Sequence, residues 1–139
     1  MKKLTPQADN RCFGCGAANA RGMMLEFEAD EERKRIIGRF RLAAEYQGGP
    51  GFLHGGIIAT VADTTAALAL IPMLPRRTRM ATVEMKINFL ERVHAGRIRV
   101  VAWIVRKGKS LAVGEADVKD LKGRLLAKSL MTYSFSPPR

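Results

Sequence analysis

The run from Ile57 to Ile71 (Ile-Ile-Ala-Thr-Val-Ala-Asp-Thr-Thr-Ala-Ala-Leu-Ala-Leu-Ile) constrains this chain most, because Asp63 is its only ionisable side chain. A helix that is apolar all round is expected to be buried on every side. Desolvation penalises a carboxylate held in such a place, so Asp63 calls for a partner or a task. Pro50, Gly51, Gly55 and Gly56 mark a turn before the run, and Pro72 stops it. The run falls short of the roughly 20 consecutive apolar residues that a membrane-spanning helix needs. Asp63 at its centre argues the same way. Met1-Lys2-Lys3 leads into polar Thr5, Gln7, Asp9 and Asn10 rather than an apolar segment. The expectation is a cytoplasmic protein with no membrane partner.

On either side of the helix the pattern changes to strands. Met23 to Ala29 alternates in part, Asp30 to Arg33 reads as a charged turn, and Arg35 to Leu42 has the period of a half-buried strand. Tyr46 to Gly51 is a loop and Pro72 to Arg79 a connection rich in Pro and Arg. Thr82 to Leu90 then alternates, with Val83, Met85, Ile87 and Phe89 assigned to one face. Arg97 to Val105, Ser110 to Val118 and Leu125 to Phe135 follow as further strands, so the last four read as a meander. Strands combined with one helix imply an α+β domain with an antiparallel sheet of about six strands around one long buried helix. With 139 residues the chain fits a single domain, residues 21–136, preceded by an arm, residues 1–20, that lacks periodicity.

The net charge of +11 favours anionic partners: nucleic acid, an anionic membrane surface or a phosphate-bearing small molecule. Neither a helix-turn-helix pattern nor an aromatic-glycine RNA motif accompanies it, so nucleic acid is not expected. Most of the charge reads as a solvated face, with clusters at Arg33-Lys34-Arg35, Arg76-Arg77-Thr78-Arg79 and Arg106-Lys107-Gly108-Lys109. Cys12 and Cys15 are the only cysteines. A structural zinc needs four ligands, and besides the two cysteines the chain offers just His54 and His94. Two reduced thiols in a turn is the favoured reading, a metal shared across an oligomer interface the lesser one. No metal or separate cofactor is expected.

Tyr46-Gln47-Gly48-x-Pro50-Gly51-x-x-His54-Gly55-Gly56-Ile57-x-Ala59-Thr60-x-x-Asp63 resembles the motif of the PaaI-type hotdog thioesterases. Cys12-x-x-Cys15-Gly16-x-x-Asn19-x-x-Gly22-Met23 is similar to an N-terminal element of one branch of that superfamily. The resemblance covers residues 11–135. It implies a hotdog fold, a homodimer that pairs into a dimer of dimers, and hydrolysis of an acyl-CoA. The acyl group would be aromatic or of medium length. The alternatives are a hotdog acyl-CoA sensor and an enoyl or 3-hydroxyacyl thioester hydratase.

Physical chemistry assigns roles to the motif. Gly55 and Gly56 stand where the helix begins, so their amides are expected to be free, and without a Cβ they admit a carbonyl oxygen closely. Such amides, aided by the helix dipole, form an oxyanion site. Asp63 supplies the base or nucleophile. His54 reads chiefly as the residue that orders the loop. Gly55 and Asp63 are eight residues apart, which is about 12 Å on one helix, too far to share one carbon. Either the helix is broken or two subunits build each site, and the resemblance implies the second. By the same resemblance Thr82 places the attacking water. Related members often carry Asn where this chain has Gly48, and Gln47 beside it offers an amide instead. Arg106, Lys107 and Lys109 are candidates for the phosphates of coenzyme A.

Overall fold

A computed structural model describes residues 1–137 of the chain. Its seven strands are β1 (Lys2–Lys3), β2 (Phe27–Asp30), β3 (Arg35–Leu42), β4 (Arg79–Phe89), β5 (Gly96–Lys107), β6 (Leu111–Lys119) and β7 (Leu125–Ser136). The helix α1 (Gly55–Leu70) lies between β3 and β4. All strand pairs are antiparallel, in the order β1-β2-β3-β5-β6-β7-β4. The six strands read from the sequence are present, together with the short β1. The last four do not form a simple meander, because β4 pairs with β7 and stands at the edge. Chain order cannot reveal that choice, since β4 follows a long crossover.

Alternation explains β3. Ile36, Gly38, Phe40 and Leu42 are buried, while Arg35, Arg39 and Arg41 are exposed; Ile37 breaks the pattern, since it lies on the other face and is buried too. Gly38 has a packing reason: a Cβ there would lie 2.0 Å from Phe40 Cζ, so the Phe40 ring occupies that space. The same ring meets Phe27 edge to face at 5.3 Å. β2 begins at Phe27, later than the alternation from Met23 suggests, because Met24 takes a positive φ of 47° that no strand tolerates.

One stripe of α1 is buried: Ile58, Val61, Ala62, Thr65, Ala66 and Leu70. This spacing of three and four is one helix face, and it packs mainly on β5 and β6. The buried Thr65 hydroxyl donates to the Val61 carbonyl at 2.6 Å, so it carries no unmet bond. The opposite face, including Ile57, Thr60, Thr64, Ala67 and Leu68, is only partly buried. Burial on every side is therefore not reached within one chain, because a single sheet covers a single face. With the 3₁₀ turn after it, the helical stretch Gly55–Met73 reaches 19 residues at a hydropathy of 1.6, which by length and composition would span a membrane. Here its buried stripe rests on the sheet instead.

The first twenty residues are tied into this body. Lys2 and Lys3 pair with Ala29 and Glu28. The Cys12–Cys15 turn is pinned by Met23 N–H donating to the Phe13 carbonyl at 2.7 Å and Leu25 N–H to the Gly14 carbonyl at 2.9 Å. Gly14 seats against Thr64 of α1 so closely that a Cβ would stand 2.2 Å from the Thr64 hydroxyl.

Candidate active site

Asp63 sits midway along α1 and is partly buried. Two hydroxyls converge on its carboxylate. Thr82 Oγ1 donates toward Oδ1 at 3.0 Å and Oδ2 at 3.1 Å. The Tyr133 hydroxyl lies 3.0 Å from Oδ1 and 2.9 Å from the Asp63 backbone carbonyl. Burial first, and then the Asp63 carboxylate beside it, push the Tyr133 phenol above its ordinary range. Tyr133 therefore remains a neutral donor, and the two hydroxyls hold the carboxylate in one orientation.

A bulge delivers Thr82 to this place. Thr82 pairs with Tyr133 and Glu84 with Thr132, which leaves Val83 as the extra residue of β4. Before the bulge Met80 and Thr82 turn toward α1; after it Met85 and Ile87 do. Unbroken alternation would put Thr82 on the opposite face from Met85 and Ile87. The assignment of Val83 to the apolar face is corrected accordingly: it is 58% exposed. Phe89, also assigned there, is 51% exposed and packs over Gly55, where a Cβ would come within 3.3 Å of its ring.

At the start of α1 the two glycines differ. His54 is the N-cap, and its Nδ1 accepts the Gly56 amide at 2.8 Å. The expectation of a free Gly56 amide is thus corrected. Ile57 and Ile58 amides return to the His54 carbonyl at 2.9 and 3.3 Å. The Gly55 amide alone of these has no acceptor among the described residues. An accepting Nδ1 requires the ring proton on Nε2. His54 thus organises the loop, its own amide donating to the Tyr46 carbonyl at 2.8 Å.

Gln47 and Gly48 lie in the loop before His54, where Gly48 N–H donates to the Phe52 carbonyl at 2.6 Å. A Cβ on Gly48 would meet nothing nearer than 3.7 Å, at His54 Cα. Arg106 and Lys107 end β5 and Lys109 follows in the turn to β6, all three exposed, with Lys107 Nζ 5.1 Å from the Phe135 ring centroid. β4 separates these groups: its Arg79 end lies beside Ser136 near that turn, and its Phe89 end lies over Gly55. α1 is continuous from Gly55 to Leu70. Asp63 and Thr82 are brought together, while Gly55 of the same chain stays at the helix start. Among the described residues, no group of three or more His, Cys, Asp and Glu side chains is placed to hold a metal ion.

Tyr133 is the site residue that sequence reasoning missed. A signal was present: it alternates with Ser129 and Met131 on the buried face of β7. A buried phenol needs a partner, and Asp63 is the one ionisable group of the apolar run.

Residues 50–127 match the family model described as the thioesterase superfamily. A candidate esterase of Saccharolobus solfataricus is 34% identical over 102 residues, which cover 73% of this chain and 72% of that protein. Human acyl-coenzyme A thioesterase 13 is 28% identical over 100 residues, 70% of this chain and 71% of its own length. A Bacillus halodurans protein solved with CoA superposes with a TM-score of 0.74 at 26% identity, covering 82% of this chain and 75% of that one.

Proposed function

Since the chain belongs to the thioesterase superfamily, we propose that it hydrolyses the thioester bond of an acyl-CoA, with Asp63 as the attacking or proton-accepting group and the Gly55 amide as oxyanion donor. One observation carries this reading: an anchored carboxylate at mid-helix is combined with one helix-start amide that has no acceptor. Thioester hydrolysis needs those two elements, an activated attacker and a donor at the developing oxyanion. The likeness to acyl-coenzyme A thioesterase 13 and to a protein solved with CoA supports acyl-CoA as the substrate class.

Two chemical routes fit. Asp63 accepts a proton from water as that water attacks the carbonyl, and the CoA thiolate leaves. In the other route the carboxylate attacks, CoA leaves, and water hydrolyses the resulting anhydride. In both, Thr82 and Tyr133 orient the carboxylate.

The continuous helix separates Gly55 from Asp63 by about 12 Å, so each site takes its amide from one protomer and its carboxylate from a two-fold partner. The unpaired outer edge of β4 and the half-covered face of α1 suit such a homodimer, and dimers pair further into a tetramer. Two groups of cations compete for the CoA phosphates, the Arg106–Lys109 turn and a second group considered below. The acyl tail is aromatic or of medium length.

The test is to incubate the purified protein with a panel of acyl-CoAs and a chromogenic thiol reagent. Release of free CoA is expected, with a maximum at one acyl class. Loss of enoyl absorbance without free thiol would make the protein a hydratase. Saturable binding with neither signal would make it a sensor.

A further inference from the structure

A cavity of about 930 Å³ opens beside Gly55. Its walls are the segment around Phe52, the β4–β5 connection and the β6–β7 turn. Its floor is apolar, from buried Leu53, Ile58, Val93 and Leu126. Arg92, Arg97 and Arg124 stand around it with Glu91 and Asp120.

These charges are not equivalent. Arg124 is paired with Glu91, which raises the affinity of its guanidinium for the proton. The Asp120 carboxylate accepts the turn amides of Lys122 and Arg124, each at 2.9 Å. Both acids are therefore engaged. Arg92 and Arg97 have no carboxylate partner among the described residues. Arg97 also stands directly across the β3–β5 ladder from Arg41, and like charges so placed repel unless an anion lies between them. The Arg92 guanidinium covers the Phe52 ring at 4.9 Å, and Phe52 meets His94 edge to face at 5.0 Å.

Two free guanidiniums, an aromatic pair and an apolar floor make a binding site for a phosphorylated, ring-bearing molecule. Guanidinium forks match phosphate oxygens in pairs, and aromatic faces hold a purine. The volume lies in the range of small-molecule sites, roughly 300–1,000 Å³. We infer that this cavity holds the nucleotide end of the CoA thioester, with Arg92 and Arg97 on its phosphates and the Phe52–His94 pair against its adenine. The inference rests on the acyl-CoA reading above. A ligand seated here directs its thioester arm toward Gly55, which lines the same cavity. The Arg106–Lys109 turn is the weaker place: its cations are exposed, as Arg92 and Arg97 are, but they do not line the cavity that Gly55 lines.

Three ligands separate the possibilities: an acyl-CoA, the same acyl group on N-acetylcysteamine, which lacks the nucleotide, and 3′,5′-ADP. The double variant Arg92→Ala/Arg97→Ala is compared with Arg106→Ala/Lys107→Ala/Lys109→Ala. For the first, KM for acyl-CoA should rise by about tenfold or more with kcat little changed, as when a charge-assisted bond to the substrate is lost. Its kcat/KM on the truncated thioester should stay at the wild-type level, and its calorimetric binding of 3′,5′-ADP should disappear. The turn variant should bind 3′,5′-ADP as wild type does. Arg92 is exposed, so Arg92→Gln alone serves if the double variant does not fold. Unchanged 3′,5′-ADP binding in the cavity variants, with acyl-CoA still cleaved, would overturn the subsite and leave the hydrolase reading standing. Cleavage of neither thioester by the wild type, with 3′,5′-ADP binding still dependent on Arg92 and Arg97, would overturn the hydrolase reading and leave the subsite standing.

Discussion

Thr82 Oγ1 lies 3.0 and 3.1 Å from the two carboxylate oxygens of Asp63, nineteen residues earlier in the chain. The contact depends on the bulge at Val83, which turns Thr82 to the helix side of β4 while Met85 and Ile87 keep that side downstream. Strand geometry, more than residue choice, puts the hydroxyl on the carboxylate.

Asp63→Asn keeps the shape of the side chain and removes its charge. It should lower kcat by about 10²–10⁴-fold, the range of a lost general base, and leave the circular dichroism spectrum unchanged. Thr82→Val should cost far less, about tenfold, because it removes one of two donors to the carboxylate. Retention of more than a few per cent of turnover by Asp63→Asn would sink the assignment.

Subunit exchange tests the shared site. Gly55→Pro deletes the free amide at a helix position where proline is tolerated. It and Asp63→Asn should each be inactive as homodimers. After exchange, half the dimers are mixed and half of their sites carry neither lesion, so about a quarter of wild-type activity should return. A verifiably exchanged mixture that stays inactive would place both groups of a site in one chain.

His54→Ala removes the acceptor of the Gly56 amide and should lower stability by about 1 kcal/mol, the usual effect of a lost N-cap. His54→Asn, which can cap, should recover most of that loss. Equal melting temperatures for wild type and His54→Ala would contradict the capping role.

Gly48→Asn has room, since nothing lies within 3.7 Å of its Cβ position. It should fold as wild type does, with kcat raised if an amide at this position orders the attacking water. An unchanged kcat would remove position 48 from the mechanism.

Burial, and then Cys12 beside it, push the Cys15 thiol up to about 11 from 9.0. The thiolate is the reactive form, so the raised value keeps the folded Cys15 protonated and slow to react below that pH. At pH 8.5 iodoacetamide should modify exposed Cys12 first, and Cys15 should catch up only as the pH approaches 11 or the chain is unfolded. Equal native rates at pH 8.5, read by mass spectrometry, would refute this.

Much of the fold was legible because its signals are local. The alternation of Arg35 to Leu42 became β3 over the same residues. The apolar run became α1, and its His-Gly-Gly start and central Asp63 marked the candidate site. The glycine amides were misjudged in part because the His54 ring folds back on Gly56, a rotamer that composition does not reveal. Tyr133 escaped notice because its partner lies seventy residues away.

By itself the sequence determined a long helix without a polar face, strands on both sides of it, and one carboxylate that needed a partner. These follow from periodicity and from the absence of charge, both properties of neighbouring residues. Only the tertiary structure decided that β4 pairs with β7, that Val83 bulges and so aims Thr82 at Asp63, and that Arg92 and Arg97 line one cavity with Gly55. The physical reason is that pairing and parity are set by contacts between distant segments, and one extra residue in a strand reverses every side chain beyond it.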